Sequence, residues 1–186
     1  PATVAAPMTL KSKMSPRKRP AARALNGTPE SRLTREDWLT AALDALISDG
    51  VENVKVLPLA ERLGVSRSSF YWFFRSREHL LDFLLERWRD SNTRVIVEKA
   101  AAPAATITQG VLNIFICWRD ESLFDPRRDF AIREWARRSG HVRRAVDQAD
   151  DERVDAIKRM FIRHGYRERD AFIRARLQEA GLAPSP

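Results

Sequence analysis

One cysteine, three histidines and seven glycines in 186 residues leave little material for most kinds of chemistry. The lone Cys117 excludes an intrachain disulfide framework and any multi-cysteine zinc site, and it fits a reducing compartment. It falls among bulky apolar residues, where a thiol is inert packing. His79, His141 and His164 are far apart, and none has another His or a Cys at i+3 or i+4. No phosphate loop, nucleotide fingerprint or nucleophile elbow occurs. No apolar run approaches the roughly 18 uncharged residues of a membrane span, and no h-region of about 7–15 residues marks a secretory signal. Strand alternation and internal repeats are missing too. The acids Asp147, Asp150, Asp151 and Asp155 project from one side of a helix. Arg143, Arg144, Lys158 and Arg159 sit one turn from some of them, so the group reads as a salt-bridged exposed face rather than a metal site. We expect no enzyme, no metal and no cofactor.

What is abundant is positive charge: 33 Lys and Arg against 25 Asp and Glu, a formal +8 and a pI near 10.3. Such a balance points to a polyanionic partner. Residues 1–33 hold seven of these cations and one acid, residues 34–89 are balanced to within one charge, and the remainder carries a small excess. The first segment also has five of the ten prolines and no apolar periodicity. Residues 1–32 therefore read as a disordered basic arm, either an idle tail or a source of sequence-independent attraction to nucleic acid.

Beyond the arm the pattern is all-α, with about eight helices punctuated by glycine and proline. Thr34, with Asp37 three residues on, caps a helix to about Asp49, and a short helix follows over 56–63. The Gly64-Val65 turn leads to a third helix, about 67–73, capped by Ser66. Ser76 caps a long fourth helix reaching about Ala101. Further helices are expected over 106–119, 127–138, 141–164 and 168–180. The helix over 106–119 is apolar on most of its circumference, which places it in the domain centre.

Two short helices joined by a glycine turn, with a third behind them, form a helix-turn-helix. From Arg62 to Arg77, ends included, there are four arginines and no acid. Ser68, Ser69, Tyr71 and Trp72 fall among them, short hydroxyls and amphipathic rings of the kind that read base edges in a major groove. Residues 34–88 resemble the N-terminal DNA-binding domain of the TetR/AcrR family of bacterial transcriptional regulators. The resemblance rests on Gly50, on Leu59-Ala60-Glu61-Arg62-Leu63-Gly64-Val65-Ser66, and on Phe70-Tyr71-Trp72-Phe73-Phe74-Arg75-Ser76-Arg77-Glu78-His79-Leu80-Leu81. Lys55 replaces the usual Thr before the second helix, Phe73 a common His, and Arg77 a common Lys. The resemblance implies a helix-turn-helix domain over 33–80 whose Arg67, Ser68, Ser69 and Trp72 face the groove, while Lys55, Tyr71 and Arg77 touch phosphates.

It further implies an antiparallel helical regulatory domain over 81–186 and a cytoplasmic repressor. Such a protein binds a double-stranded operator as a homodimer and is released by a small hydrophobic effector. Candidates to line an effector cavity are Trp88, Leu112, Phe115, Trp118, Phe124 and Trp135. Phe172, Ile173 and Leu177 form the stripe expected at the dimer contact. The family's last helix has no counterpart before Pro186, so the alternative is a truncated helical interaction module without productive operator binding.

Overall fold

The computed structural model describes residues 33–120 and 122–180. The arm expected over 1–32 and the glycine stop expected at Gly181 lie outside the described residues. Within them the chain is helical and contains no strand: α1 (Arg35–Asp49), a 3₁₀ turn (Val51–Asn53), α2 (Val56–Leu63), α3 (Arg67–Phe70), α4 (Arg77–Trp88), a π-helical stretch (Arg89–Arg94), α5 (Val95–Ala101), α6 (Ile107–Arg119), α7 (Pro126–Ala136), α8 (Gly140–Arg163) and α9 (Glu168–Ala180).

Local signals set several of these boundaries. Thr34 and Asp37 close a reciprocal capping box on α1, and these hydrogen bonds from Thr34 hold the Asp37 carboxyl below its ordinary range. The Ser76 hydroxyl accepts from the His79 amide at 3.2 Å and starts α4. Gly64 ends α2 at φ 69°, ψ 29°, the left-handed conformation that a side chain penalises. Other expectations change in detail. The Ser66 hydroxyl pairs with the Ser68 hydroxyl at 2.8 Å instead of capping α3. After Phe70 the chain turns through i→i−3 bonds, so α3 is shorter than expected. The glycine punctuation expected between helices falls inside one at Gly140, which begins α8.

The apolar side chains gather into two clusters. The first joins α1–α4 to α7 and the start of α8, with Trp38, Phe70, Phe74 and Trp88 at its centre. The second joins α5, α6, the C-terminal half of α8 and α9, around Ile96, Ile114, Ile157 and Phe161. The helix α6 is not central. It buries Gly110, Ile114 and Cys117 but turns Leu112, Phe115 and Ile116 to the surface, each about half exposed. Apolar composition around a helix reports that it wants burial, not that this chain supplies the cover.

Where the two clusters meet on α8, a buried ion cluster takes over. Arg153, 1% exposed, contacts Asp129 at 3.3 Å, Asp150 at 3.4 Å and Glu179 at 3.3 Å. Arg133 grips Asp150 with two bonds of 2.7 and 2.8 Å and Asp129 with a third of 2.7 Å. The Trp88 indole donates to Asp129 at 2.8 Å. Asp150 thus turns inward, away from the exposed face expected of it. Asp155 pairs with Lys158 and Arg159 as expected, whereas Asp151 meets Arg176 of α9.

Burial and charge act oppositely on two acids here. Burial alone would raise Asp129, but Arg153, Arg133 and the indole outweigh it and hold the carboxyl low. For Glu179 burial wins over Arg153 and the carboxyl is pushed up. A raised acid lends stability that is complete below its unfolded value, about 4.3, and lost as pH rises through its folded value. A lowered acid lends stability present above about 3.9 and lost as pH falls through its folded value. Thermal unfolding followed from pH 7 downward should therefore show a midpoint that first rises, then falls below about pH 4. Glu179→Gln should abolish the rise and leave the fall.

Candidate nucleic-acid interface

Helix α3 stands on an aromatic floor. Phe70, fully buried, meets the Trp38 ring edge-on at 5.2 Å and stacks with Phe74 at 5.2 Å. Phe74 in turn contacts Phe83 and His79, and the Arg35 guanidinium lies 3.5 Å above the Phe83 ring. With Phe70 and Phe74 pinned inward, the other side of α3 and its following turn points out. Trp72 is 81% exposed and Tyr71 50%, large rings that water alone would not favour. The Arg67 guanidinium donates to the Tyr71 hydroxyl at 3.3 Å and is otherwise open, and Ser68 is exposed beside it.

Two of the expected contacts are turned elsewhere. Ser69 is buried and its hydroxyl donates to the Ser66 carbonyl at 2.6 Å, so it braces α3 from behind. The Arg77 guanidinium donates through Nε to the Val54 carbonyl and through Nη2 to the Val51 carbonyl, both at 2.6 Å. It clamps the start of α4 to the α1–α2 connection, giving the Val54 carbonyl a donor and adding a second donor to the Val51 carbonyl, which already accepts from the Val54 amide. Lys55, at the N-cap of α2, is exposed and makes no cap bond, as its replacement of a hydroxyl residue implied. Arg75 was part of the basic window without an assigned contact. It is exposed on the turn between α3 and α4, and its backbone N–H donates to His79 Nδ1 at 3.1 Å. The signal that could have singled it out was its place directly after the buried Phe74.

The six expected effector residues do not enclose one cavity. Trp88 and Phe124 are buried beneath Arg153, whose guanidinium carbon lies 5.7 and 5.9 Å from their rings. Leu112 and Phe115 face outward on α6, and Trp118 packs edge-on against Phe115 at 4.7 Å. Trp135 lines a separate groove of about 390 Å³ with Ile47 and Phe130. Another groove, about 560 Å³, runs between α4 and α8, where Leu85, Trp88 and Ala145 line it together with the charged Asp82, Glu86, Arg89 and Arg144. Phe172, Ile173 and Leu177 are exposed on α9, opposite Ala171 and Ala175, which are fully buried toward α8. Among the described residues no cluster of His, Cys, Asp or Glu could hold a metal ion, and no helix is long and apolar enough to cross a membrane.

A buried aromatic floor, a glycine turn and an outward basic edge define a helix-turn-helix. Residues 39–83 match the family model of the bacterial regulatory proteins of the tetR family. The chain is 42% identical over 70 residues to the class A tetracycline repressor from transposon 1721 of Escherichia coli, taking in 38% of this chain and 32% of that one. It is 41% identical over 56 residues to the class C tetracycline repressor of Escherichia coli, 30% and 26% of the two chains. The matched stretch thus spans about a third or less of those repressors. A solved structure of a candidate transcriptional regulator from Streptomyces coelicolor A3(2) shares the fold more widely: TM-score 0.59, 22% identity, 81% of this chain and 87% of that one. The likeness to the tetR family is thus carried by the N-terminal helix-turn-helix, residues 39–83.

Proposed function

We propose that the chain is a DNA-binding transcriptional regulator acting as a repressor, with residues 33–80 reading the operator and residues 81–186 regulating that reading. The observation that carries this is the unsupported exposure of Trp72 and Tyr71 beside Arg67 on a rigidly floored helix. The similarity to the two tetracycline repressors supports the repressor reading. In this reading Arg67, Ser68 and Trp72 meet base edges, while Lys55, Tyr71 and Arg75 meet phosphates. Two readers are needed for a two-fold operator, and the α9 stripe of Phe172, Ile173 and Leu177 is the contact we assign to the homodimer. A small hydrophobic effector would act on the helices of residues 81–186, and the protein would work in the cytoplasm. The exposed apolar residues of α6 and α9 favour a second reading, a helical interaction module without productive operator binding.

The test is a footprint on the DNA flanking the protein's own coding region, followed by titration of the bound duplex. Lys55→Ala and Arg75→Ala should weaken specific and random duplexes alike and each reduce the salt slope by about 0.9. Arg67→Ala should instead change base preference, by about 1–3 kcal/mol at one position. Three variants that bind every duplex as the parent does would remove this surface from the interface.

A further inference from the structure

The chain holds its most costly interior charges in one place, and that place is the seam between its two apolar clusters. On α8, Val142, Val146 and Ala149 belong to the first cluster and Val154, Ile157 and Phe161 to the second. Asp150 and Arg153 occupy the interval. Arg153 lies between Trp88, a member of the first cluster, and Phe124, a member of the second. From there a continuous path of polar contacts runs Glu179 to Arg153 at 3.3 Å, Arg153 to Asp129 at 3.3 Å, and Asp129 to the Trp88 indole at 2.8 Å. It begins on α9 and ends on the last residue of α4.

Each end of that path adjoins something with a task to explain. On α9, Ala171, Ala175 and Glu179 lie at four-residue spacing on the buried side, while Phe172, Ile173 and Leu177 occupy the exposed side. A partner seated on the outer stripe would press the same helix that carries Glu179. At the other end, Trp88 is followed at once by the π-helical residues Arg89–Arg94. Such segments are rare and concentrate at working positions in helices. This one buries Asn92, whose amide donates to the Asp125 carbonyl at 3.0 Å, and Thr93, whose hydroxyl has no partner. The long helix therefore changes its hydrogen-bond register just where it passes from one cluster to the other. The cluster is incompletely satisfied as well: Arg153 Nε and Glu179 Oε2 are buried and unpartnered. A buried ionic group does little for stability compared with an apolar one of the same volume, and its best-attested use is to fix one arrangement against others.

We propose that Arg153 is the positioning residue of this regulator, tying α9 to the end of α4 through Glu179 and Asp129 so that contact on the outer face of α9 fixes the placement of the reader. The proposal rests on the DNA-binding and dimer readings for its regulatory use, and on the geometry alone for the coupling. Loss of the Glu179 end leaves Arg153 to Asp129 and Asp150 alone, and its shift toward them loosens Asp129 from Trp88 and lets the π-helical stretch open. The α3 floor, built from Trp38, Phe70 and Phe74, has no member in this path and keeps its shape.

Amide hydrogen exchange on the full chain tests the coupling without DNA. Glu179→Ala should speed exchange across residues 89–94 by about tenfold or more, a local opening, and leave α2 and α3 unchanged. Glu179→Gln keeps an acceptor for Arg153 and should restore protection. Leu177→Ser, on the outer face, should leave residues 89–94 protected in the free monomer. Faster exchange confined to residues 168–180 in Glu179→Ala would overturn the proposal. The second arm uses duplexes with the two half-sites moved apart by single base pairs. The parent should favour one spacing by about tenfold or more, and Glu179→Ala should flatten that preference while binding a single half-site with unchanged affinity. An unchanged spacing preference in Glu179→Ala would overturn the assigned role. If the parent binds no duplex, the DNA-binding reading fails, and the exchange arm still decides whether α9 and α4 are coupled.

Discussion

Arg153→Ala is expected to lower the folding stability by about 3–5 kcal/mol, among the largest single-residue losses available to this chain. The variant removes a positive charge from a site where Asp129 and Glu179 are themselves buried. Asp129 would retain Arg133 at 2.7 Å while its hold on the Trp88 indole loosens, and Glu179 would keep no ion-paired cation, only the more distant Arg133. The rings of Trp88 and Phe124 would also face a void in place of a planar cation. In a chain of this size the loss corresponds to a drop of about 6–20 °C in Tm. Urea unfolding, with the midpoint and slope both recorded, measures it. The control is Arg94→Ala. Arg94 pairs with Asp90 at 3.0 Å, both side chains are more than 60% exposed, and the expected change is within about 1 kcal/mol. Replacing the charges together, with Arg153→Met, Asp129→Asn and Glu179→Gln, should recover much of the loss, because the penalty comes from the unpaired charge and not from a missing attraction. A small loss in Arg153→Ala would mean that water reaches the seam.

The contrast between legible and illegible features follows from the range over which each signal acts. Thr34 with Asp37, Ser76 with the His79 amide, and Gly64 with its left-handed turn are all settled within four residues, and each could be read from the sequence. Phe70 and Trp72 were separable because two positions on a helix point about 200° apart. Placing the polar side chains was harder. Ser69 and Arg77 carry the same chemistry as residues that meet DNA, and only the folded chain shows that one braces Ser66 and the other the carbonyls of Val51 and Val54. The same holds for Asp150 and Arg153, which sit in a sequence of charges spaced like an exposed face. Their burial depends on Asp129 and Arg133, about 20 residues earlier, and on Glu179 of α9. For α6, periodicity counted apolar side chains correctly but could not say that Leu112, Phe115 and Ile116 find no cover among the described residues.

Two aromatic residues two positions apart, Phe70 and Trp72, should behave in opposite ways. Phe70 is fully buried and makes three ring contacts at 5.2 to 5.3 Å, with Trp38, Phe74 and Tyr71. Phe70→Ala should cost about 3–5 kcal/mol of stability, since it removes a large side chain and leaves a cavity that the helices around it cannot close. Duplex binding should then fall for every sequence together, because the whole edge from Lys55 to Arg75 loses its floor. Trp72 is 81% exposed and has no ring contact to lose. Trp72→Ala should leave stability within about 0.5 kcal/mol of the parent, as surface changes do, and its helical circular dichroism unaltered. Its effect should fall on recognition: discrimination of the operator from a single-base variant should shrink by about 1–3 kcal/mol while non-specific binding holds. Thermal unfolding and duplex anisotropy measured on the same two preparations separate the outcomes. A folded Trp72→Ala protein that discriminates operators as the parent does would place the ring outside the groove and leave Arg67 and Ser68 as the base-reading pair.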